Sequence, residues 1–148
     1  MKNNKKISNK LYNVISDTAF IVLPFNEKWS DDVTSGIKEV CEGLGIKANR
    51  ADDLYNTKNT FIDDILKSIC QSQLIIVDIS KHNPNVFYEL GIAQGYNKDI
   101  ILLHQKDGDP VPSDITSIRH LSYGMYPSSF DKFKKELRDI IIKVKSLD

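Results

Sequence analysis

Short apolar runs alternate along this chain with longer segments that mix apolar and polar residues. The runs Ala19–Leu23, Leu74–Val77 and Ile100–Leu103 contain no polar residue at all. Uninterrupted apolar runs of this length are typical of strands that are buried on both faces. Weaker strand patterns over Ile46–Ala51 and His120–Tyr123 bring the predicted number of strands to five.

The segments between the strands carry apolar residues at helical spacing. Ser30 or Asp31 offers an N-cap for a first helix, and Thr60 offers one for a second. Asn83, which a proline follows, predicts the start of a third helix. An amphipathic closing helix is predicted over Phe130–Val144.

Strands that alternate with helices predict an α/β fold with helices on both faces of a parallel sheet. We predict a flavodoxin-like, three-layer, doubly wound sheet of about five strands in the order 2-1-3-4-5. We assign residues 18–148 to this domain and expect residues 1–17, which are basic and rich in Asn, to form a flexible lead-in. Ligands of such sheets bind beyond the carboxyl ends of the strands, here between the strands that end at Pro24 and Asp78.

The composition argues against a nucleic-acid-binding protein, and the sequence argues against a secreted or membrane protein. The chain has 148 residues, of which 41% are hydrophobic, and its 20 basic residues balance 20 acidic ones. This balance lacks the basic excess of a nucleic-acid-binding protein, so we expect no nucleic-acid partner. The sequence has no secretion signal and no apolar run of about 18 residues, so we expect a cytoplasmic protein without a membrane partner.

Metal and cofactor motifs are missing from the sequence. The histidines lack metal-ligand spacing with Cys41 and Cys70, so no metal site is expected. No glycine-rich phosphate loop follows the first strand, so we expect no cofactor bound by such a loop. We expect both cysteines to be buried, reduced thiols, with a disulfide as the alternative.

Glu89 is the main candidate for chemistry. It is the only charged residue between Val86 and Ala93, and it lies near the apolar stripe of the third helix. Partial desolvation there would raise the pKa of the carboxyl, whereas the nearby helix N-terminus would lower it. Such a carboxyl can act as a nucleophile or as a general acid or base. The alternative is an ordinary solvated or salt-bridged glutamate.

Nine other residues at the predicted ligand edge are candidates for substrate binding. Asp78 could bind ribose hydroxyls or could be a turn carboxylate beside Ser80. The asparagines Asn83 and Asn85 could donate to a sugar or a phosphate. For Asn83 the alternative is that it caps the helix and does not contact the ligand. The aromatic residues could stack on a nucleobase or pack in the core. The nine are Pro24, Phe25, Asn26, Trp29, Asp78, Ser80, Asn83, Asn85 and Tyr88.

The segment Val77–Ser80, followed by Asn83–Ala93, resembles the nucleoside 2-deoxyribosyltransferase-like superfamily and especially its bacterial TIR-like relatives. The resemblance implies that Glu89 attacks the anomeric carbon, or stabilises positive charge on it, while the base leaves from C1′. It also implies that Asp78 binds the sugar. Contacts to the base or phosphate would come from the region of Phe25, Asn26 and Asn85.

The resemblance therefore predicts an N-glycosidase or a base-exchange enzyme that acts on a nucleoside, a nucleotide or NAD. The pair Phe87–Tyr88 stands where typical transferases of that superfamily carry Gly-Thr, so hydrolysis fits the sequence at least as well as transfer. The resemblance also implies a homo-oligomer and a role in antiphage defence. The alternative is a non-catalytic module that binds a nucleotide signal or another TIR-like chain.

Overall fold

A five-stranded parallel sheet forms the centre of the computed structural model, which describes residues 12–54 and 62–147. The strand order is β2-β1-β3-β4-β5, and every neighbouring pair is parallel. This confirms the predicted α/β class, the flavodoxin-like topology and the strand order. The strands are β1 (Ile15–Val22), β2 (Lys47–Arg50), β3 (Ser72–Asp78), β4 (Asp99–Gln105) and β5 (His120–Tyr123).

Helices cover both faces of the sheet. Helices α1 and α5 pack on one face, and α3 and α4 pack on the other. A short 3-10 turn, Ser113–Ile115, lies between β4 and β5. The helices are α1 (Ser30–Gly43), α2 (Ala51–Leu54), α3 (Ile62–Gln71), α4 (Pro84–Gly95) and α5 (Pro127–Ser146).

Successive side chains of the central strands point to opposite faces of the sheet and so divide the core into two clusters. Phe20 of β1 packs among the residues of α3 and α4, whereas Ile21, the next residue, packs among those of α1 and α5. Ile75 and Ile76 of β3 divide in the same way. Because successive side chains of a strand point to opposite faces, a strand covered on both sides must be apolar at every position. This requirement explains the uninterrupted apolar runs.

Some element boundaries differ from the predicted ones. β1 begins at Ile15, inside the segment predicted as a lead-in, of which residues 1–11 lie outside the described part of the chain. The predicted cap of α1 is wrong, because the residue at the N-cap position is Trp29 and its side chain makes no capping hydrogen bond. The hydroxyl of Ser30 instead donates to the carbonyl oxygen of Pro24 over 2.5 Å. Thr60, the predicted cap of the second helix, lies outside the described residues.

The start of α4 follows its sequence pattern closely. The Oδ1 atom of Asn83 accepts hydrogen bonds from the backbone N–H of Asn85 (2.9 Å) and of Val86 (3.2 Å), which confirms the predicted N-cap. Pro84 takes the first helical position, where its missing N–H costs nothing. The cap and the proline together fix the helix at the carboxyl end of the sheet.

Both cysteines are free thiols, as predicted. Cys41 is buried, and its burial, with the nearby charge of Glu42, raises the pKa of the thiol to about 12. Cys70 is only partly buried. No helix within residues 12–54 and 62–147 is both long enough and apolar enough to cross a membrane.

The cap of α4 generates a stability prediction. We expect Asn83→Ala to lower the free energy of unfolding by about 1 kcal/mol, because two N–H groups of the first turn lose their acceptor. Asn83→Ser, which keeps a capping oxygen, should stay within a few tenths of a kcal/mol of the native value. Chemical denaturation of the three proteins provides the measurement. Equal losses in both variants would show that the cap is not what stabilises this helix start.

Candidate active site

A pocket of about 390 Å³ opens at the carboxyl edge of the sheet. Its walls come from the end of β1, the loop Pro24–Asn26 and the first turns of α4, with one residue each from α2 and α3. This position is the topological switch point, where the chain leaves β1 toward one face and β3 toward the other. The volume lies within the range of small-molecule pockets, roughly 300–1,000 Å³.

Seven of the ten candidate site residues line this pocket, and three do not. Glu89 is one of the seven, and the other six come from the β1–α1 loop and from the start of α4. Trp29, Asp78 and Ser80 lie elsewhere. The seven lining residues are Pro24, Phe25, Asn26, Asn83, Asn85, Tyr88 and Glu89.

Glu89 is partly buried in the wall formed by α4. Its burial raises the pKa of the carboxyl from 4.5 to about 7, which is the effect of the partial desolvation that the sequence predicts. The alternative of a salt-bridged glutamate finds no support in the described part of the chain, where the Glu89 carboxylate has no ion pair and no hydrogen bond. Both protonation states of the group are therefore populated near neutral pH.

An unpartnered carboxyl with this pKa can do two kinds of chemistry. As a carboxylate it can attack an electrophilic carbon or stabilise positive charge that develops on it. As a carboxylic acid it can donate a proton to a leaving group. Within the described residues no protein group pairs with its oxygens, which leaves the Glu89 carboxyl available to a ligand in the pocket.

Two exposed aromatic side chains stand at the pocket. Phe25 is 52% exposed and Tyr88 is 59% exposed, and both line the cavity. Exposed rings at a pocket can stack on a planar ligand such as a nucleobase. Phe87 does not take part, because its ring packs against the core and lies edge-on to His82 at 5.6 Å between centroids.

Three asparagines add polar groups to the same walls. The Oδ1 atom of Asn83 is used for the helix cap, so its Nδ2 amide is the group that remains to donate to a ligand. Asn26 and Asn85 are exposed at the pocket. Amide side chains can donate to hydroxyl, carbonyl or phosphate oxygens and can also accept from hydroxyls, so they suit several parts of a nucleotide.

Asp78 is turned into the protein rather than toward the pocket. It is 1% exposed, and its Oδ1 atom accepts hydrogen bonds from the backbone N–H (2.9 Å) and hydroxyl (2.5 Å) of Ser80. Its Oδ2 atom accepts one from the hydroxyl of Tyr123 (2.5 Å). Burial raises the pKa of Asp78, and the hydrogen bonds from Ser80 and Tyr123 oppose that rise. The carboxylate thus connects the carboxyl ends of β3 and β5, and the structure favours the turn interpretation of Asp78 and Ser80.

Trp29 also lies away from the pocket. Its side chain is partly buried and packs against the core cluster beneath α1 and α5. The structure therefore favours core packing, the alternative to base stacking, for this residue. Its place immediately before α1, on the opposite face of the sheet from α4, accounts for the difference.

The sequence patterns did not single out Arg50 or Tyr123. Arg50 is 3% exposed at the end of β2, and its guanidinium carbon lies 4.5 Å from the ring centroid of Phe25. The one signal available in the sequence was a cation at the end of a predicted strand, where a buried charge needs specific partners. Tyr123 gave a weaker signal, since a buried tyrosine hydroxyl usually finds a hydrogen-bond partner.

The described residues contain no candidate metal-binding site. Across the two described ranges of the chain, no group of three or more His, Cys, Asp or Glu side chains is placed to hold a metal ion. The chemistry available to the pocket in the described structure is that of one carboxyl, three amides and two aromatic rings.

Solved structures with the same fold include proteins of the superfamily that the sequence resembles. A CMP N-glycosidase from Clostridium botulinum, BcmB, is 15% identical, with a TM-score of 0.60 over 83% of this chain and 98% of that one. A 2-deoxyribosyltransferase from Bacillus psychrosaccharolyticus is 14% identical, with a TM-score of 0.54 over 79% of this chain and 90% of that one.

The TIR domain of a Toll-related receptor, TRR-2, from Hydra magnipapillata is also similar. It is 18% identical, with a TM-score of 0.62 over 87% of this chain and 98% of that domain. These likenesses match the suspected superfamily at the level of the fold. No protein-family model matches the chain, and no curated protein matches it by sequence.

The buried network around Asp78 generates a prediction for Tyr123. We expect Tyr123→Phe to lower the free energy of unfolding by about 1–3 kcal/mol, because the buried Oδ2 atom of Asp78 loses its donor. Tyr126→Phe, which removes an exposed hydroxyl nearby in the chain, is the matched control and should change little. Thermal or chemical denaturation measures both. An unaffected Tyr123→Phe protein would contradict a stabilising role for this hydrogen bond.

The raised pKa of Glu89 predicts how stability depends on pH. Below pH 4.5 the carboxyl is protonated in both the folded and the unfolded chain, so it contributes no difference. Between pH 4.5 and about 7 the unfolded chain loses its proton first, which favours unfolding. Glu89→Gln removes this effect, so it should stabilise the fold above pH 7 by an amount on the order of 1–3 kcal/mol.

Unfolding measured at pH 4 and pH 8 tests this prediction. Glu89→Gln should match the native protein at pH 4 and exceed it in stability at pH 8. Glu42→Gln, which neutralises an exposed carboxylate on α1, is the control and should show a much smaller difference between the two pH values. A stability gain that is the same at both pH values would mean that the Glu89 carboxylate is not held in a desolvated place.

Proposed function

We propose that this protein is an enzyme that cleaves the N-glycosidic bond of a nucleoside, a nucleotide or NAD, with Glu89 as the catalytic residue. The observation that carries the proposal is a partly buried carboxyl, without an ion pair or hydrogen bond among residues 12–54 and 62–147, in a pocket that also presents two exposed aromatic rings. A base could stack on a ring while its sugar lies against the carboxylate. These are the two groups that an N-glycosidic bond joins.

The proposed reaction begins with heterolysis of the bond between C1′ and the base nitrogen. The bonding electron pair leaves with the base, and positive charge develops on C1′ and the ring oxygen. A nucleobase takes up a proton as it leaves, whereas the cationic nicotinamide of NAD leaves as a neutral molecule and takes up none. The Glu89 carboxylate stabilises this charge or forms a bond to C1′. Water then supplies the hydroxyl group at C1′ and releases a proton in hydrolysis, whereas a second base replaces the water in base exchange.

The structural relatives give this proposal support by analogy. Two of them are a CMP N-glycosidase and a 2-deoxyribosyltransferase, and the chemistry in both names takes place at an N-glycosidic bond. A shared fold alone does not carry an activity from one protein to another, so the case depends on the residues of the pocket. An antiphage role and assembly into a homo-oligomer stay predictions from the sequence resemblance, and location in the cytoplasm stays a prediction from the sequence itself.

A second candidate is a binding module without catalysis. The similarity to the TIR domain of a receptor favours it, because this domain has the same fold within a signalling protein. Such a module would keep the pocket and bind a nucleotide signal or a second TIR-like chain. It differs from the enzyme in two measurable respects: Glu89 would matter little for nucleotide binding, and there would be no turnover.

The first test is release of free base by the purified protein. Cytidine, CMP, dCMP and NAD form a panel of substrates, and chromatography detects the base. We expect Glu89→Gln to lower kcat/KM for the active substrate by about 100-fold or more, the scale on which a positioned acid or base acts. Glu42→Gln is the control for a lost carboxylate and should retain full activity.

The kcat/KM of the native protein should rise with pH. Only the carboxylate form of Glu89 can attack or stabilise C1′, so kcat/KM should rise with pH and level off above a midpoint of about 7. A profile that instead falls above that midpoint would assign Glu89 the role of a general acid. A panel in which native protein and Glu89→Gln bind nucleotide equally and release no base would favour the binding module.

A further inference from the structure

We propose that Arg50 is a positioning residue that fixes Pro24 and Phe25 as one wall of the pocket and so determines how firmly the planar base of a substrate is held. The inference rests on the proposed function, since it concerns the same pocket. Arg50 does not line the cavity itself, and it acts through the residues that do. Its role is therefore one of support behind the wall.

The position of Arg50 follows from the sheet. It is the last residue of β2, and in the parallel register it lies beside Ile21, near the end of β1. The loop Pro24–Asn26 leaves β1 just beyond this point. A long side chain from the end of β2 can therefore reach the loop.

Acidic side chains and a carbonyl hold the guanidinium group in place. The Nη1 atom donates to Asp31 of α1 over 3.0 Å, and the Nε atom lies 3.7 Å from the carboxylate of Asp52 in α2. The Nη2 atom donates to the carbonyl oxygen of Pro24 over 3.2 Å. Because a guanidinium is planar with donors in fixed directions, the two hydrogen bonds from Nη1 and Nη2 set its orientation as well as its place, while Nε has an ion pair but no hydrogen bond within the described residues.

The backbone of the loop is held from two sides. The carbonyl oxygen of Pro24 accepts from Arg50 and also from the buried hydroxyl of Ser30. The backbone N–H of Arg50 in turn donates to the carboxylate of Asp53 over 2.7 Å, and Lys38 donates to the same carboxylate oxygen over 2.6 Å. Hydrogen bonds and ion pairs thus hold the arginine to α1 and α2 as well as to the loop.

The ring of Phe25 receives the final contact. The guanidinium carbon lies over the ring at 4.5 Å from its centroid, a distance at which a cation attracts the face of an aromatic ring. Phe25 remains 52% exposed and lines the pocket. The buried guanidinium therefore lies over the ring of Phe25, and about half of the surface of this residue stays exposed to a ligand.

In this arrangement Arg50 and Phe25 would affect how the substrate binds, whereas Glu89 would affect the chemical step. A ring that is already oriented loses less conformational freedom when a base stacks on it, so preorganisation improves affinity. None of the contacts of Arg50 described above involves α4, which carries Glu89. Loss of Arg50 should therefore weaken the hold on the substrate and leave the chemical step nearly intact.

The kinetic test compares Arg50→Met, Arg50→Lys and the native protein on the active substrate of the panel. We expect Arg50→Met to raise KM about 10-fold while kcat changes less than about threefold, the pattern of lost uniform binding. Arg50→Lys, which keeps the charge but lacks the planar set of donors, should fall between the two. Arg138→Met removes an exposed arginine of α5 and should leave both constants unchanged.

A double-variant cycle tests the route through Phe25. Phe25→Leu alone should raise KM, and adding Arg50→Met to it should raise KM by less than about twofold further, because the two residues act through one contact. Fully independent effects would overturn the inference. A change in kcat equal to that in kcat/KM for Arg50→Met would overturn it as well.

NMR provides a readout that does not depend on activity. The aromatic ring shifts the side-chain N–H resonances of Arg50 upfield, so Phe25→Leu should move them downfield while the core resonances keep their positions. Since Phe25 is exposed, this variant tests the contact in a folded protein. Unmoved Arg50 resonances would overturn the inference even if base release is observed.

The two proposals can fail separately. If the ring contact is present and NAD or CMP binds more weakly to Arg50→Met without any turnover by the native protein, the enzymatic proposal fails and Arg50 keeps its positioning role. If base is released and KM is the same in folded Arg50→Met, only the inference on Arg50 fails. If no member of the panel binds or reacts, both are overturned.

Discussion

The pairing of β1 with β3 is the constraint on which the rest of this structure depends. Both strands are apolar on both faces, so each needs helices above and below, and the chain must leave their carboxyl ends in opposite directions. A crevice between the two exits follows from this topology alone. The β1–α1 loop and the start of α4 become its walls, and every further property of the site is a question of which side chains these two segments carry.

Glu89 illustrates the cost in stability of placing a carboxyl in such a crevice. The residue follows the buried stripe of α4 closely enough to be partly desolvated, and in the described structure nothing compensates the carboxylate form. A glutamine at this position would suit the fold better at neutral pH. A residue that weakens the fold and has no structural partner is what a functional site requires, because groups that are already satisfied have no remaining affinity for a ligand.

The sequence predictions were accurate for contacts between residues close together in the chain and failed for contacts between residues far apart in it. The cap, the proline and the buried stripe of α4 lie within a few residues of one another, so the helix and the environment of Glu89 were predictable. Asp78 was placed correctly at the end of its strand, but its carboxylate turns toward Tyr123, which is 45 residues away. Arg50 contacts Asp31 and Pro24, at separations of 19 and 26 residues. Only the folded sheet reveals such pairs.

The division of the pocket between separate parts of the chain has a consequence for how such proteins diversify. The carboxyl group and its helix start belong to one continuous segment, whereas the opposite wall is a short loop supported from β2. If the pocket has the proposed function, substitutions in the loop or in its arginine support would alter which molecule is accepted without disturbing the acid. Selection, or a protein engineer, could then retune recognition on one side of the cavity while the side that carries Glu89 is inherited unchanged.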